Sequence, residues 1–195
     1  MGIEYELKFR AEAHQLPAIL AQYPGKMQEF QMETTYYDTP SGALSARHYT
    51  LRRRMENEES VCTLKTPAAG KGRQELEINC ADIQQALPEF CQMGAPEDFA
   101  QVITEGILPV CGAKFHRTAI TLESPDCCLE LALDEGSLFG GGKTLPLCEV
   151  EVELKSGETI LADIFALDLA RQFGLLPETK SKFRRALALY KGESA

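Results

Sequence analysis

What constrains this chain most is charge alternating residue by residue with apolar side chains, in segment after segment. Glu4, Glu6, Lys8 and Arg10 hold every second position of the opening segment, with Ile3, Tyr5, Leu7 and Phe9 between them. Near the other end Glu149, Glu151 and Glu153 alternate with Val150, Val152 and Leu154. Successive side chains of a β-strand point to opposite faces, so each segment reads as a strand with one apolar and one ionic face. The pattern recurs where Thr50, Arg52 and Arg54 oppose Tyr49, Leu51 and Met55, and where Arg73, Glu75 and Glu77 oppose Leu76 and Ile78. It recurs again where Glu130 and Asp134 oppose Leu129, Leu131 and Leu133, and Lys65 and Arg117 add basic positions on strands of their own. Two arrangements fit: solvated outer faces, or a closed barrel with ionic faces inward and apolar faces packed under helices. Only the second gives the charges a shared function.

A chain of 195 residues, 44% hydrophobic, suits one substantial core, and the expectation is a single domain over residues 1–195. Its net charge of −9 argues against a broad nucleic-acid surface. A polyanionic ligand would therefore need local cations or a metal. The seven cysteines, Cys62, Cys80, Cys91, Cys111, Cys127, Cys128 and Cys148, show neither a CxxC pair nor zinc spacing. They read as reduced thiols of a cytoplasmic protein. No leader segment is expected, and no apolar run approaches the ~20 residues of a membrane span.

Strand signals cover residues 2–10, 34–38, 48–55, 60–66, 72–79, 114–123, 127–135 and 147–155. Helical spacing covers 158–173, closed by Gly174, and a basic amphipathic stretch runs from Lys182 to Lys191, with weaker helices near 14–22 and 82–104. Because Gly174 and Pro177 precede it, the last helix is expected to swing as a lid, so that truncation after Leu176 would cost catalysis more than folding. Arg53 falls on the outward parity of its strand. Tyr37-Asp38-Thr39-Pro40 reads either as a site element or as a strand end with Asp38 bonding local backbone. Gly140-Gly141-Gly142 reads as a hairpin connection, and His14, His48 and His116 have no metal-ligand spacing.

So many inward charges cannot sit in a dry core, since each unpaired one costs several kcal/mol. Clustered carboxylates suit a hard cation such as Mg²⁺, and guanidinium and ammonium groups suit phosphate oxygens. One cavity holding both sets is what phosphoryl transfer requires.

In this setting Glu4-x-Glu6-x-Lys8 resembles the ExExK signature of the CYTH domain, the triphosphate tunnel metalloenzymes. Tyr37-Asp38-Thr39, Leu51-Arg52-x-Arg54, Thr63-Leu64-Lys65, Arg73-x-Glu75-x-Glu77, Glu130 to Gly136, Glu149-x-Glu151-x-Glu153 and Ser181-Lys182 match later blocks in order. The resemblance implies an α+β fold: an eight-stranded antiparallel β-barrel forming a charged tunnel, covered by flanking helices. It implies that Glu4, Glu6, Asp134, Glu149 and Glu151 hold Mg²⁺ or Mn²⁺, and that Lys8, Arg52, Arg54, Lys65, Arg73, Arg117 and Lys182 contact phosphates. Lys8, Glu75, Glu77 and Glu153 are the expected catalytic groups, any of the last three orienting water. The activity expected is metal-dependent hydrolysis of a triphosphate, inorganic tripolyphosphate first. An adenylate cyclase, a thiamine triphosphatase and a non-catalytic polyphosphate-binding module are the alternatives. The expected partner is a small polyanion rather than nucleic acid or membrane, in a monomer or homodimer.

Overall fold

The structure is a computed structural model that describes residues 5–67 and 73–193. Glu4, one of the expected metal ligands, lies outside the described residues. Among the described residues nine antiparallel strands make one sheet: β1 (Glu6–Arg10), β2 (Lys26–Asp38), β3 (Thr50–Glu56), β4 (Glu59–Pro67), β5 (Arg73–Asn79), β6 (Leu108–Glu123), β7 (Cys128–Gly140), β8 (Lys143–Ser156) and a two-residue β9 (Leu176–Pro177). Their order is β5-β4-β3-β2-β6-β7-β8-β1-β9. The helices are α1 (Leu16–Gln22), α2 (Ala43–Ala46), α3 (Ile83–Gln92), α4 (Phe99–Val102), α5 (Thr159–Phe173) and α6 (Lys182–Lys191). Among the described residues no helix is long and apolar enough to cross a membrane.

The sheet is rolled. Residues of β3 and β5 face residues of β7 and β8 across one cavity, and an adjoining cavity shares Arg52, Arg54, Glu75, Arg117 and Glu153 in its wall. Among the described residues no ladder joins β5 to β1 or β9. Apolar parity faces outward, as alternation requires, and helices cover it. Phe9, Leu131, Leu133, Val150 and Val152 pack against Leu16 and Ile19 of α1 and Ala162, Ala166 and Leu169 of α5. On the other half Leu51, Leu64 and Leu76 pack against Ile83, Ala86 and Phe90 of α3 and Phe99 of α4.

The four longest strands exceed their sequence signals. β2 begins at Lys26 rather than 34; its first residues, KMQEF, are exposed apart from half-buried Phe30, and show no alternation that would mark a strand. The helical signal at 82–104 splits at Gly94, which has φ of 94°, and Pro96. At the β7–β8 hairpin Gly141 and Gly142 both have positive φ (58° and 73°), the backbone a two-residue primed turn demands. Asp38 accepts from the backbone N–H groups of Thr39, Leu44 and Ser45 at 2.8, 2.9 and 3.2 Å, so it fixes the β2–α2 turn.

The ionic faces do not continue along the whole interior. At one end Ala113, Phe115, Leu138 and Leu147 take the inward parity, and α6 fills that end with Ala186 and Leu189. A Cβ on Gly140 would come within 2.5 Å of Ala186 carbonyl oxygen, so helix and hairpin are in backbone contact. The expected swinging lid is thus a packed plug, and truncation after Leu176 would open a core.

Candidate active site

Asp134 on β7 and Glu149 and Glu151 on β8 are buried, and their carboxylate oxygens lie within 4.8 Å of one another. Register creates the group. Asp134 pairs with Glu149 across the ladder, and Glu151 follows two residues later on the same face. Like charges so close require cations, and three are supplied. Arg117 on β6 grips Asp134 with two donors, each at 2.7 Å, and reaches Glu151 at 2.5 Å. Lys182 Nζ stands 2.9 Å from Asp134, 2.5 Å from Glu149 and 2.7 Å from Glu151. Arg185, buried on α6, pairs with the other oxygen of Glu149.

This geometry sets the protonation states. Burial works against the Lys182 ammonium, but Glu151, Asp134 and Glu149 outweigh it and raise its pKa. Burial likewise opposes charge on Arg117, and the Asp134 hydrogen bonds reverse the balance upward. Burial pushes the Glu151 carboxyl up, and Lys182 and Arg117 together bring it well below the usual carboxylate range. Glu149 goes the other way: burial raises it, with Lys182 opposing. The partner of buried Glu149 Oε2 is the Lys182 ammonium at 2.5 Å. Three buried carboxylates with oxygens within 4.8 Å of one another make an all-oxygen donor set that fits a hard divalent cation.

Glu6 lies outside this group of three. It accepts from Lys8 at 2.9 Å, and both line the cavity of about 290 Å³ beside the carboxylates. Arg52, Arg54, Lys65 and Arg73 line the same cavity. Lys65 pairs with Glu75 at 3.1 Å, and Arg52 reaches Glu75 at 3.4 Å and Glu77 at 3.9 Å. Arg73 donates to the carbonyl of His48 at 2.8 Å and to Thr50 Oγ1 at 3.1 Å. Glu77 accepts from Thr63 Oγ1 at 3.1 Å and lies 3.9 Å from Arg54. Glu153 faces Glu130 across the β7–β8 ladder, and Lys155 reaches both, at 2.8 and 3.6 Å. Arg53 turns outward and donates to Ala81 carbonyl at 3.1 Å.

Three participants escaped the sequence reading. Lys155 and Glu56 carry the inward parity of their strands, and Glu56 pairs with Arg54 at 2.5 Å, so alternation contained that signal. Arg185 lies three positions after Lys182 on the same helical face, but a basic helix ordinarily reads as solvated.

A rolled antiparallel sheet with carboxylates and cations mixed on its inner face defines a class, and comparison with known proteins gives it a family. The CYTH domain model matches residues 2–187, and the chain belongs to the CYTH family. Over 171 residues it is 33% identical to the inorganic triphosphatase of Haemophilus influenzae, covering 83% of this chain and 47% of that protein. The chain thus spans about half the length of this curated relative. Among solved structures, PH1819 from Pyrococcus horikoshii matches with a TM-score of 0.65 at 20% identity, over 96% of this chain and 99% of that one. The Hippeastrum protein HpAC1, whose structure is reported with a dominant triphosphatase activity, matches with a TM-score of 0.60 at 18% identity, over 99% and 98%. At these identities the two structures bear on the fold alone.

Proposed function

We propose that the chain is one catalytic CYTH unit that hydrolyses a triphosphate, inorganic tripolyphosphate first, with Mg²⁺ or Mn²⁺. One observation carries this reading: a cage of three buried carboxylates opens onto a cavity walled by Lys8, Arg52, Arg54, Lys65 and Arg73. A binder of polyphosphate alone would be served by the cations without the carboxylates. The family membership and the Haemophilus relative's name support the same activity.

Asp134, Glu149 and Glu151 would hold the cation, and Glu6 stands nearest in register, diagonal to Glu151 across the β1–β8 ladder. The ion would supply Lewis-acid stabilisation of phosphoryl charge. Lys8, Arg52, Arg54 and Lys65 would line up the phosphate chain, and their fixed positive charges would offset charge developing on the leaving phosphate. Of the three candidate carboxylates, Glu77 has the longest contacts to cations and more exposure than Glu75 or Glu153, so it orients the attacking water. All seven cysteines are free thiols, in keeping with the reducing cytoplasm as the place of action.

The test is a panel of tripolyphosphate, ATP and thiamine triphosphate, assayed with Mg²⁺ and Mn²⁺ for phosphate and cyclic nucleotide. Tripolyphosphate should be turned over fastest. Cyclic AMP as the main product from ATP would overturn the hydrolase reading.

A further inference from the structure

Lys182 occupies a position that the proposed function also requires for something else. Its ammonium lies within 2.9 Å of all three carboxylates, each through one oxygen. A divalent ion taking oxygens of the same three residues at roughly 2.0–2.2 Å would stand where Nζ stands. Two cations cannot share that point.

Charge counting shows what an exchange would do. Three carboxylates meet three cations, Lys182, Arg117 and Arg185, so the cage closes neutral. Replacing the ammonium with a divalent ion leaves the cage with one net positive charge and frees a second at its rim. Both changes favour a polyanion in the adjoining cavity, whose wall already includes Lys182. The rest of α6 does not need to move. Ser181 caps the backbone N–H of Arg184 at 3.2 Å, Arg185 stays on Glu149, and Ala186 is pressed against the β7–β8 hairpin. Only the four-carbon stem of one lysine, at the first turn of the helix, must rotate.

We propose that Lys182 is an exchangeable occupant of the carboxylate cage, expelled by the divalent cation and then available to the triphosphate, so that the two ligands bind with positive coupling. This rests on the reading of Asp134, Glu149 and Glu151 as cation ligands, and the test separates the two ideas. Mn²⁺ binding is measured by calorimetry on wild type, Lys182→Met and Lys182→Gln, without triphosphate. In parallel, brief acetylation of wild type with and without Mn²⁺ is read by peptide mass spectrometry at Lys182, with exposed Lys180 as the internal control. Removing the competitor should tighten Mn²⁺ binding at least tenfold in both variants. Mn²⁺ should raise Lys182 acetylation severalfold and leave Lys180 unchanged. Should wild type bind Mn²⁺ while Lys182 stays protected, or should the variants bind no tighter, the exchange is wrong and the triphosphatase reading stands. Absence of Mn²⁺ binding in all three proteins would overturn both. The acetylation readout needs no variant, so it decides even if a substitution prevents folding.

Discussion

Arg117→Met removes a cation bound to two of the three cage carboxylates, and its cost can be worked from the contacts. The guanidinium makes two hydrogen bonds to Asp134 at 2.7 Å and one to Glu151 at 2.5 Å, with Asp134 wholly buried. Methionine keeps the packing against Phe115 but leaves three carboxylates facing two cations. Breaking a buried pair by deleting one partner costs about 3–5 kcal/mol. Here Lys182 still neutralises Asp134 and Glu151, which places the loss at the lower end, about 3 kcal/mol. For a chain of this size that is roughly 6–12 °C in Tm. The assay is thermal and urea unfolding in the presence of EDTA, with Asp134→Asn and the double variant completing a cycle. A coupling of at least about 1.5 kcal/mol is expected, because the two groups meet directly. Additive losses, or a loss under about 1 kcal/mol for Arg117→Met, would show that the guanidinium is loosely solvated and refute the neutral-cage argument.

Arg52→Ala and Arg54→Ala should each raise KM for tripolyphosphate at least several-fold without changing the preference between Mg²⁺ and Mn²⁺; unchanged substrate dependence in steady-state assays would return both to structural pairing with Glu75 and Glu77. Glu77→Gln should lower kcat more than KM if it orients water, and equal loss in binding and turnover would remove it from that role. Gly136→Ala would put a Cβ 2.2 Å from Lys114 carbonyl oxygen, between β6 and β7, and should reduce soluble, folded protein; a variant unfolding within a degree of wild type would contradict that close approach. Burial pushes the Cys111 thiol up to about 12 and the Cys62 thiol up to about 11, so at pH 8 both should resist iodoacetamide while exposed Cys91 is alkylated, as intact-mass analysis would reveal.

The strands and their faces were legible because alternation is a direct consequence of the pleat. Every segment read as apolar on one parity became a sheet face under helices, and Glu149, Glu151, Arg52, Arg54, Lys65 and Glu75 all emerged on the concave side. The extent of the strands was less legible. The first residues of β2 mix polar and apolar side chains on both faces, and no period distinguishes such a segment from a loop. The carboxylate cage itself was beyond parity. Parity put nine carboxylates inside, and only ladder register, with Asp134 opposite Glu149, selects the three that meet.

The largest misreading concerned α6, and its cause bears on how the site works. Gly174 and Pro177 end α5, and a basic helix after a break looks detachable. Its sequence, KFRRALALYK, nevertheless carries two kinds of inward residue: Lys182 and Arg185 for the cage, Ala186 and Leu189 for the apolar end of the interior. Alanine at 186 and glycine at 140 are what allow helix and hairpin backbones to touch. A helix anchored there can hold Lys182 at a fixed root while its ammonium moves by side-chain rotation alone. Three strands and one helix thus bring six opposite charges to balance at a single point. On the proposed exchange, one divalent cation would tip such a balance, whereas a cage of acidic groups alone would repel a polyanion.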